Sequence, residues 1–180
     1  MTEEVIQNLH TELEKWVHPL RKCSETSDRQ TVMVDSDIKA VRFDKVSNAY
    51  GKLLHSNPPK TNDALYISET GKWYFVEFKS GSIDRADIYR KMYDSVNALI
   101  ELEIISGLAE SRTNIEYILV YNEGKLTKGQ KQKKIVDHLH KLAGKEQRLF
   151  EVDKFDRYLF ADTHTYTTKQ FEEKMLSWWK

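Results

Sequence analysis

Two β-rich runs joined by a short polar loop dominate this chain. Ala64–Ile67 and Trp73–Phe78 flank Ser68-Glu69-Thr70-Gly71-Lys72. Aromatic and β-branched runs around a glycine-containing loop read as a β-hairpin. A hairpin fixes which residues face each other, because pairing runs symmetrically away from the turn. Asp63 and Glu77 lie equally far from Thr70, the middle of the loop. A turn centred there sets the two carboxylates opposite each other, with β-carbons about 5 Å apart. Lys79 lies two residues beyond Glu77 and therefore on the same face. Leu65, Ile67, Trp73 and Phe75 complete that face, which is apolar and turned inward. The charged trio thus stands at the open end of a half-buried face.

Two carboxylates at that separation repel, and a bound divalent cation resolves the repulsion. Hard oxygen ligands select Mg²⁺, Mn²⁺ or Ca²⁺ over softer metals. A lysine beside such a metal orients or deprotonates an attacking water, or stabilises charge on a phosphate. These parts suit metal-assisted phosphodiester hydrolysis. A plainer reading stands beside this one. Asp63 is then a turn residue after Pro58-Pro59, and Glu77 and Lys79 are the solvated face of an edge strand.

The remaining periodicities give the element order. Val5, Leu9, Leu13, Trp16 and Val17 predict a helix over 3–18, stopping near Pro19. Residues 22–31 read as loop. Thr31–Phe43 predicts one strand or two, and Val46, Tyr50, Leu53 and Leu54 a short helix. Ile88, Met92, Val96, Leu99, Ile100 and Ile104 form one stripe of a long helix from Asp84 to about Ile105. Asn114–Tyr121 reads as a buried strand. Thr127–Leu142 reads as a basic helix and Leu149–Val152 as a strand. Thr167-x-x-Gln170 is a capping box before a last helix. Strands alternating with helices predict an α/β or α+β domain, a central mixed sheet carrying the hairpin and flanked by helices. At 180 residues the chain is expected to be one domain over 1–180.

At the hairpin the sequence resembles the PD-(D/E)XK nuclease superfamily. Asn62-Asp63 occupies the first half of that family's motif and Glu77-Phe78-Lys79 the second. The resemblance implies a restriction-endonuclease-like core over about 40–122. The helix over 3–18 and the segment 127–179 are then elaborations on it. It implies Mg²⁺ (or Mn²⁺) held by Asp63, Glu77 and the backbone carbonyl of Phe78, with Lys79 at the water. The long helix and the strand after it fall where the family has its next two elements. Asn62 stands where many members have proline, and the long helix has no Gln-x-x-x-Tyr. Glu12, Glu14 and Asp44 are the candidates for the extra acidic residue many members carry ahead of the hairpin.

Charge bears on the partner. The chain holds 28 basic and 28 acidic side chains, which excludes a globally basic protein but not a local patch. Residues 124–148 hold eight Lys and Arg, including Lys131, Lys133 and Lys134, against Asp137 and Glu146. They read either as a phosphate-backbone contact or as a solvated helix face. Arg85 and Arg90, near the start of the long helix, are further candidates for a phosphate, or surface charges. Trp178-Trp179 reads as core or an oligomer contact, or as a platform for bases. His10, His18, His138 and His140 have no zinc-site spacing, and the single cysteine, Cys23, is expected to be inert. No run of 18 apolar residues occurs and the first residues are acidic, so a cytoplasmic protein without a membrane span is expected.

The functional expectation is a metal-dependent nuclease hydrolysing phosphodiester bonds, of DNA rather than RNA, and many such relatives work as dimers. The alternative is a catalytically inactive nuclease-fold protein that binds a protein partner, as immunity or antitoxin-like proteins and structural subunits do.

Overall fold

Six strands form one mixed sheet in the order β1-β2-β3-β4-β5-β6. The structure is a computed structural model that describes residues 13–26, 31–53, 56–125 and 148–179. β1 (Val17–Pro19), β2 (Lys39–Arg42), β3 (Ala64–Ile67) and β4 (Trp73–Lys79) run antiparallel in succession. β5 (Ile115–Tyr121) and β6 (Asp162–Thr167) then join parallel to β4. Parallel neighbours need a crossover rather than a tight turn. Helix α3 (Arg85–Glu101) and helix α4 (Leu108–Asn114) lie in the connection from β4 to β5. Among the described residues the other α-helices are α1 (Leu20–Cys23), α2 (Phe43–Leu53) and α5 (Thr168–Phe171), which runs on into a π-helical turn over Glu172–Leu176. The fold is α+β, a six-stranded mixed sheet flanked by helices.

Alternation along β4 divides the core in two. Trp73 and Phe75 point to one face, where Phe43, Ile88, Met92, Val96 and Leu99 cover them. Tyr74, Val76 and Phe78 point to the other, under Leu20, Phe171, Met175 and Trp179. Both faces of β4 are buried, so it is an interior strand. The edge-strand reading of Glu77 and Lys79 is thereby corrected: β3 and β5 pair with β4 on either side, and Glu77 is 0% exposed.

Several local expectations meet the structure directly. The hairpin has the expected register, Ala64 opposite Val76 and Ile67 opposite Trp73. The long helix expected from Asp84 to about Ile105 runs over Arg85–Glu101, with Asp84 as its cap, accepting from the Ala86 N–H. Thr167 and Gln170 form the capping box. Trp179 is core, its ring stacked on Tyr66 at 4.0 Å, whereas Trp178 is exposed.

Three expectations are corrected. Of the helix expected over 3–18, residues 3–12 lie outside the described residues, and Val17–Pro19 is an edge strand paired to Val41, Ala40 and Lys39. Proline fits there because an edge strand leaves its missing N–H without consequence. The strand expected at Leu149–Val152 is a turn: Phe150 and Glu151 have φ of 62° and 59°, and a 3₁₀ turn follows over Val152–Phe155. The sixth strand is Asp162–Thr167, which has no aliphatic residue to announce it. Its buried Thr163 and Thr165 are satisfied by Asp156 Oδ1, which accepts at 2.6 Å, and by the Leu149 N–H, which donates at 2.9 Å. Third, α4 precedes β5 where no helix was read. The expected basic helix over 127–142 lies outside the described residues.

Gly51 holds α2 against the loop that leads to the hairpin. A β-carbon there would come 2.7 Å from Pro58 Cα and 2.8 Å from Pro58 N, both backbone atoms. Overpacking of this kind costs about 1–3 kcal/mol, more than the up to about 1 kcal/mol alanine gains in helix propensity. Gly51→Ala is therefore expected to lower the urea midpoint at unchanged slope. A raised midpoint would show that this approach is not tight.

Candidate functional site

The site forms where β3 begins and β4 ends, beneath one flank of α3. The segment ahead of β3 is fixed by its backbone. The Phe43 N–H donates to the Asp63 carbonyl at 3.0 Å, and the Asn62 N–H to Ser95 Oγ at 2.8 Å. Asp63 thus lies at the head of β3, across from Glu77. Its Oδ2 accepts from the Phe78 N–H at 2.8 Å. A residue's N–H and C=O leave a strand on the same side. The Phe78 carbonyl therefore points toward the same edge as its N–H.

Six charged side chains alternate in sign through this site. Lys91 Nζ, from α3, lies 2.7 Å from Glu77 Oε1 and 3.4 Å from Asp63 Oδ1. Lys79 Nζ lies 3.1 Å from Glu77 Oε1 and 2.8 Å from Asp87 Oδ2. Lys60 Nζ lies 2.9 Å from Asp87 Oδ1. The chain runs Lys60, Asp87, Lys79, Glu77, Lys91, Asp63. A cavity of about 340 Å³ opens on it, lined by Lys60, Asp63, Lys79, Asp87 and Lys91 together with Asp44 and Ser47.

Burial sets the protonation of these groups. It pushes the Glu77 carboxyl up to about 7, the Asp63 charge adds to this, and the two lysines oppose it. Burial raises Asp63 as well, against Lys91 and the Phe78 N–H. The hydrogen bond from Lys79 holds Asp87 down at about 2. Burial by itself would lower Lys79 and Lys91. Glu77 and Asp87 leave Lys79 above the ordinary lysine value, and Asp63 and Glu77 do the same for Lys91. Both lysines are cations at neutral pH, so Lys79 in these surroundings orients and stabilises charge rather than taking a proton.

The two carboxylates and the Phe78 carbonyl are a hard-oxygen donor set suited to Mg²⁺ or Mn²⁺. Glu77 Oε2 is buried and has no hydrogen-bond partner among the described residues. An unsatisfied buried acceptor costs about 1–3 kcal/mol, which a cation would offset. The donors therefore fit a divalent ion that completes its shell with water. Among the described residues no group of three or more His, Cys, Asp or Glu side chains comes together to hold a metal.

The other candidates fall elsewhere. Arg85 pairs with Glu151. Arg90 is exposed and lies 3.6 Å from Asp94. Neither lines the cavity. Lys131, Lys133, Lys134, Glu12, His10, His138 and His140 lie outside the described residues. Glu14 is exposed, and Asp44 lines the cavity while accepting from Arg42 Nε at 3.0 Å. Cys23 is buried, its thiol pushed up to about 12 by that burial, as an inert cysteine would be.

Sequence reasoning missed Lys91, Lys60 and the part played by Asp87. A signal was present: Asp87 and Lys91 are four apart, next to the apolar stripe of Ile88 and Met92, and so share the rim that meets the sheet. No protein-family model matches this chain, and no curated protein or solved structure is significantly similar to it.

Proposed function

We propose that this chain is a metal-dependent nuclease of the PD-(D/E)XK kind, with a restriction-endonuclease-like fold, acting in the cytoplasm on DNA in preference to RNA. One observation carries the reading: Asp63 and Glu77 oppose each other across the hairpin, with Lys79 on the same face at the mouth of a cavity. Asp63, Glu77 and the Phe78 carbonyl would hold Mg²⁺ or Mn²⁺. When bound, such an ion polarises a phosphate oxygen and makes a coordinated water more acidic. Lys79, an ammonium between Glu77 and Asp87, orients the attacking water and offsets charge that builds on the phosphate. Lys60, on the outer wall of the cavity, is placed to meet a phosphate of the backbone.

A second reading has its own support. The three carboxylates of the site are already matched by three ammoniums, as in a nuclease fold kept for binding a protein partner. Plasmid and single-strand cleavage with Mg²⁺ or Mn²⁺ separates the two. Metal-dependent cutting that is lost in Glu77→Ala and Lys79→Ala supports the nuclease. A wild type that neither cuts nor binds Mn²⁺ in calorimetry overturns it and favours the binder.

A further inference from the structure

We propose, resting on the metal-site reading above, that Lys91 is the resident cation of this site and that a divalent metal loads by displacing it. The Lys91 ammonium stands between the two carboxylates and touches both. Its contacts are uneven. The one to Glu77 Oε1 is 2.7 Å and the one to Asp63 Oδ1 is 3.4 Å.

The free valences of the site dictate how exchange proceeds. Glu77 Oε2 has no hydrogen-bond partner among the described residues, so a metal that takes it breaks no hydrogen bond. Asp63 offers no such atom. Its Oδ2 holds the Phe78 N–H, and Oδ1 is engaged by Lys91. A divalent ion held by both residues would draw on an Asp63 oxygen already in use, and Oδ1, which carries no backbone hydrogen bond, is the one it would take from Lys91. A second cation at that oxygen repels the ammonium and weakens its hold there. The contact to be broken is the longer of the two that Lys91 makes. The lysine has somewhere to go: its side chain lines the same cavity as Asp87 and Lys60, on a flexible four-carbon stem. Lys91 thereby sets the metal concentration at which the site loads, and keeps the carboxylate pair neutralised below it.

Mn²⁺ binding by calorimetry at pH 7.5 tests this on the full chain, comparing wild type with Lys91→Met. Lys91→Met is expected to bind Mn²⁺ at least tenfold more tightly. Wild-type Lys91 is expected to become several-fold more reactive to amine acylation, read by mass spectrometry, when Mn²⁺ is saturating. Lys72, remote on the hairpin turn and paired to Glu116, is the internal control and should not change. Equal or weaker binding by Lys91→Met, with Lys91 acylation unmoved by Mn²⁺, overturns the exchange while leaving the metal site standing. Absence of Mn²⁺ binding in both proteins overturns the metal site itself, and the exchange with it. Binding by the variant alone supports the exchange in its strongest form. Should Lys91→Met fail to fold, the acylation of the wild type decides by itself.

Discussion

Lys79→Ala is expected to slow metal-dependent DNA cleavage about a thousandfold, while Arg90→Ala slows it less than about threefold. The contrast comes from position, since both residues are cations close to the hairpin or to the helix after it. Lys79 is mostly buried at the end of β4, its ammonium fixed by Glu77 at 3.1 Å and Asp87 at 2.8 Å. A charge pre-oriented in a partly desolvated cleft stabilises a transition state far more than a mobile one does. Removing one such group costs about two to three orders of magnitude in rate. Arg90 is exposed and its nearest acid, Asp94, is 3.6 Å away on the next turn of α3. Pairs of that kind contribute about 0–1 kcal/mol. Lys79→Arg is expected not to rescue, because a planar guanidinium fork cannot satisfy two acids spaced for one ammonium. Single-turnover cleavage at saturating Mn²⁺, with melting curves to establish folding, reads the difference. Equal losses in Lys79→Ala and Arg90→Ala would mean that the cleft does not perform the chemistry.

Much of this geometry was legible because a hairpin has few degrees of freedom. Once the loop is located, the turn centre fixes the register, and the register fixes that Asp63 meets Glu77. The stripe of α3 was equally plain, since Ile88, Met92, Val96 and Leu99 are all buried. What could not be read depends on distance in sequence. β6 is a strand because Asp156 and the Leu149 N–H satisfy its buried threonines, and neither partner is predictable from Asp162–Thr167. Leu149–Val152 has the composition of a strand but turns back at Phe150. There the Tyr89 hydroxyl donates to the Phe150 carbonyl at 2.9 Å.

The same limit hid half of the site. Asp63, Glu77 and Lys79 were found because two adjacent strands bring them together. Lys60 and Lys91 approach from a loop and a helix, and only the packing of α3 on the sheet decides which of its flanks meets the carboxylates. Arg85 and Arg90 were the attractive choices on α3 because they are arginines near its start. The rim that faces the sheet instead carries Asp87, Lys91 and Ser95, one turn apart. The apolar stripe could have indicated this: residues flanking Ile88 and Met92 lie against the sheet, while residues opposite them lie in solvent.

With chelator present, the stability of the wild type relative to Glu77→Gln is expected to fall by up to about 3 kcal/mol between pH 5 and pH 8. Glu77 is 0% exposed, and burial followed by the charge of Asp63 lifts its carboxyl from 4.5 to about 7. A raised acid binds more protons in the folded chain than in the unfolded one. Its contribution is complete below the unfolded value of 4.5 and is lost as the pH rises through the folded value near 7. Asp63 is raised by burial in the same direction but is present in both proteins, so only its coupling to Glu77 enters the difference. Asp87 acts oppositely but in another window, since its stabilisation disappears only as the pH falls from 3.8 toward 2. Groups that both proteins share otherwise cancel in the difference. Glutamine keeps the shape of Glu77 and cannot ionise, so denaturant midpoints of the two proteins across this range isolate the one carboxyl. A difference that stays flat from pH 5 to pH 8 would mean that Lys91 and Lys79 fully offset the cost of burying that charge, and that the carboxylate pair is not strained enough to attract a divalent ion.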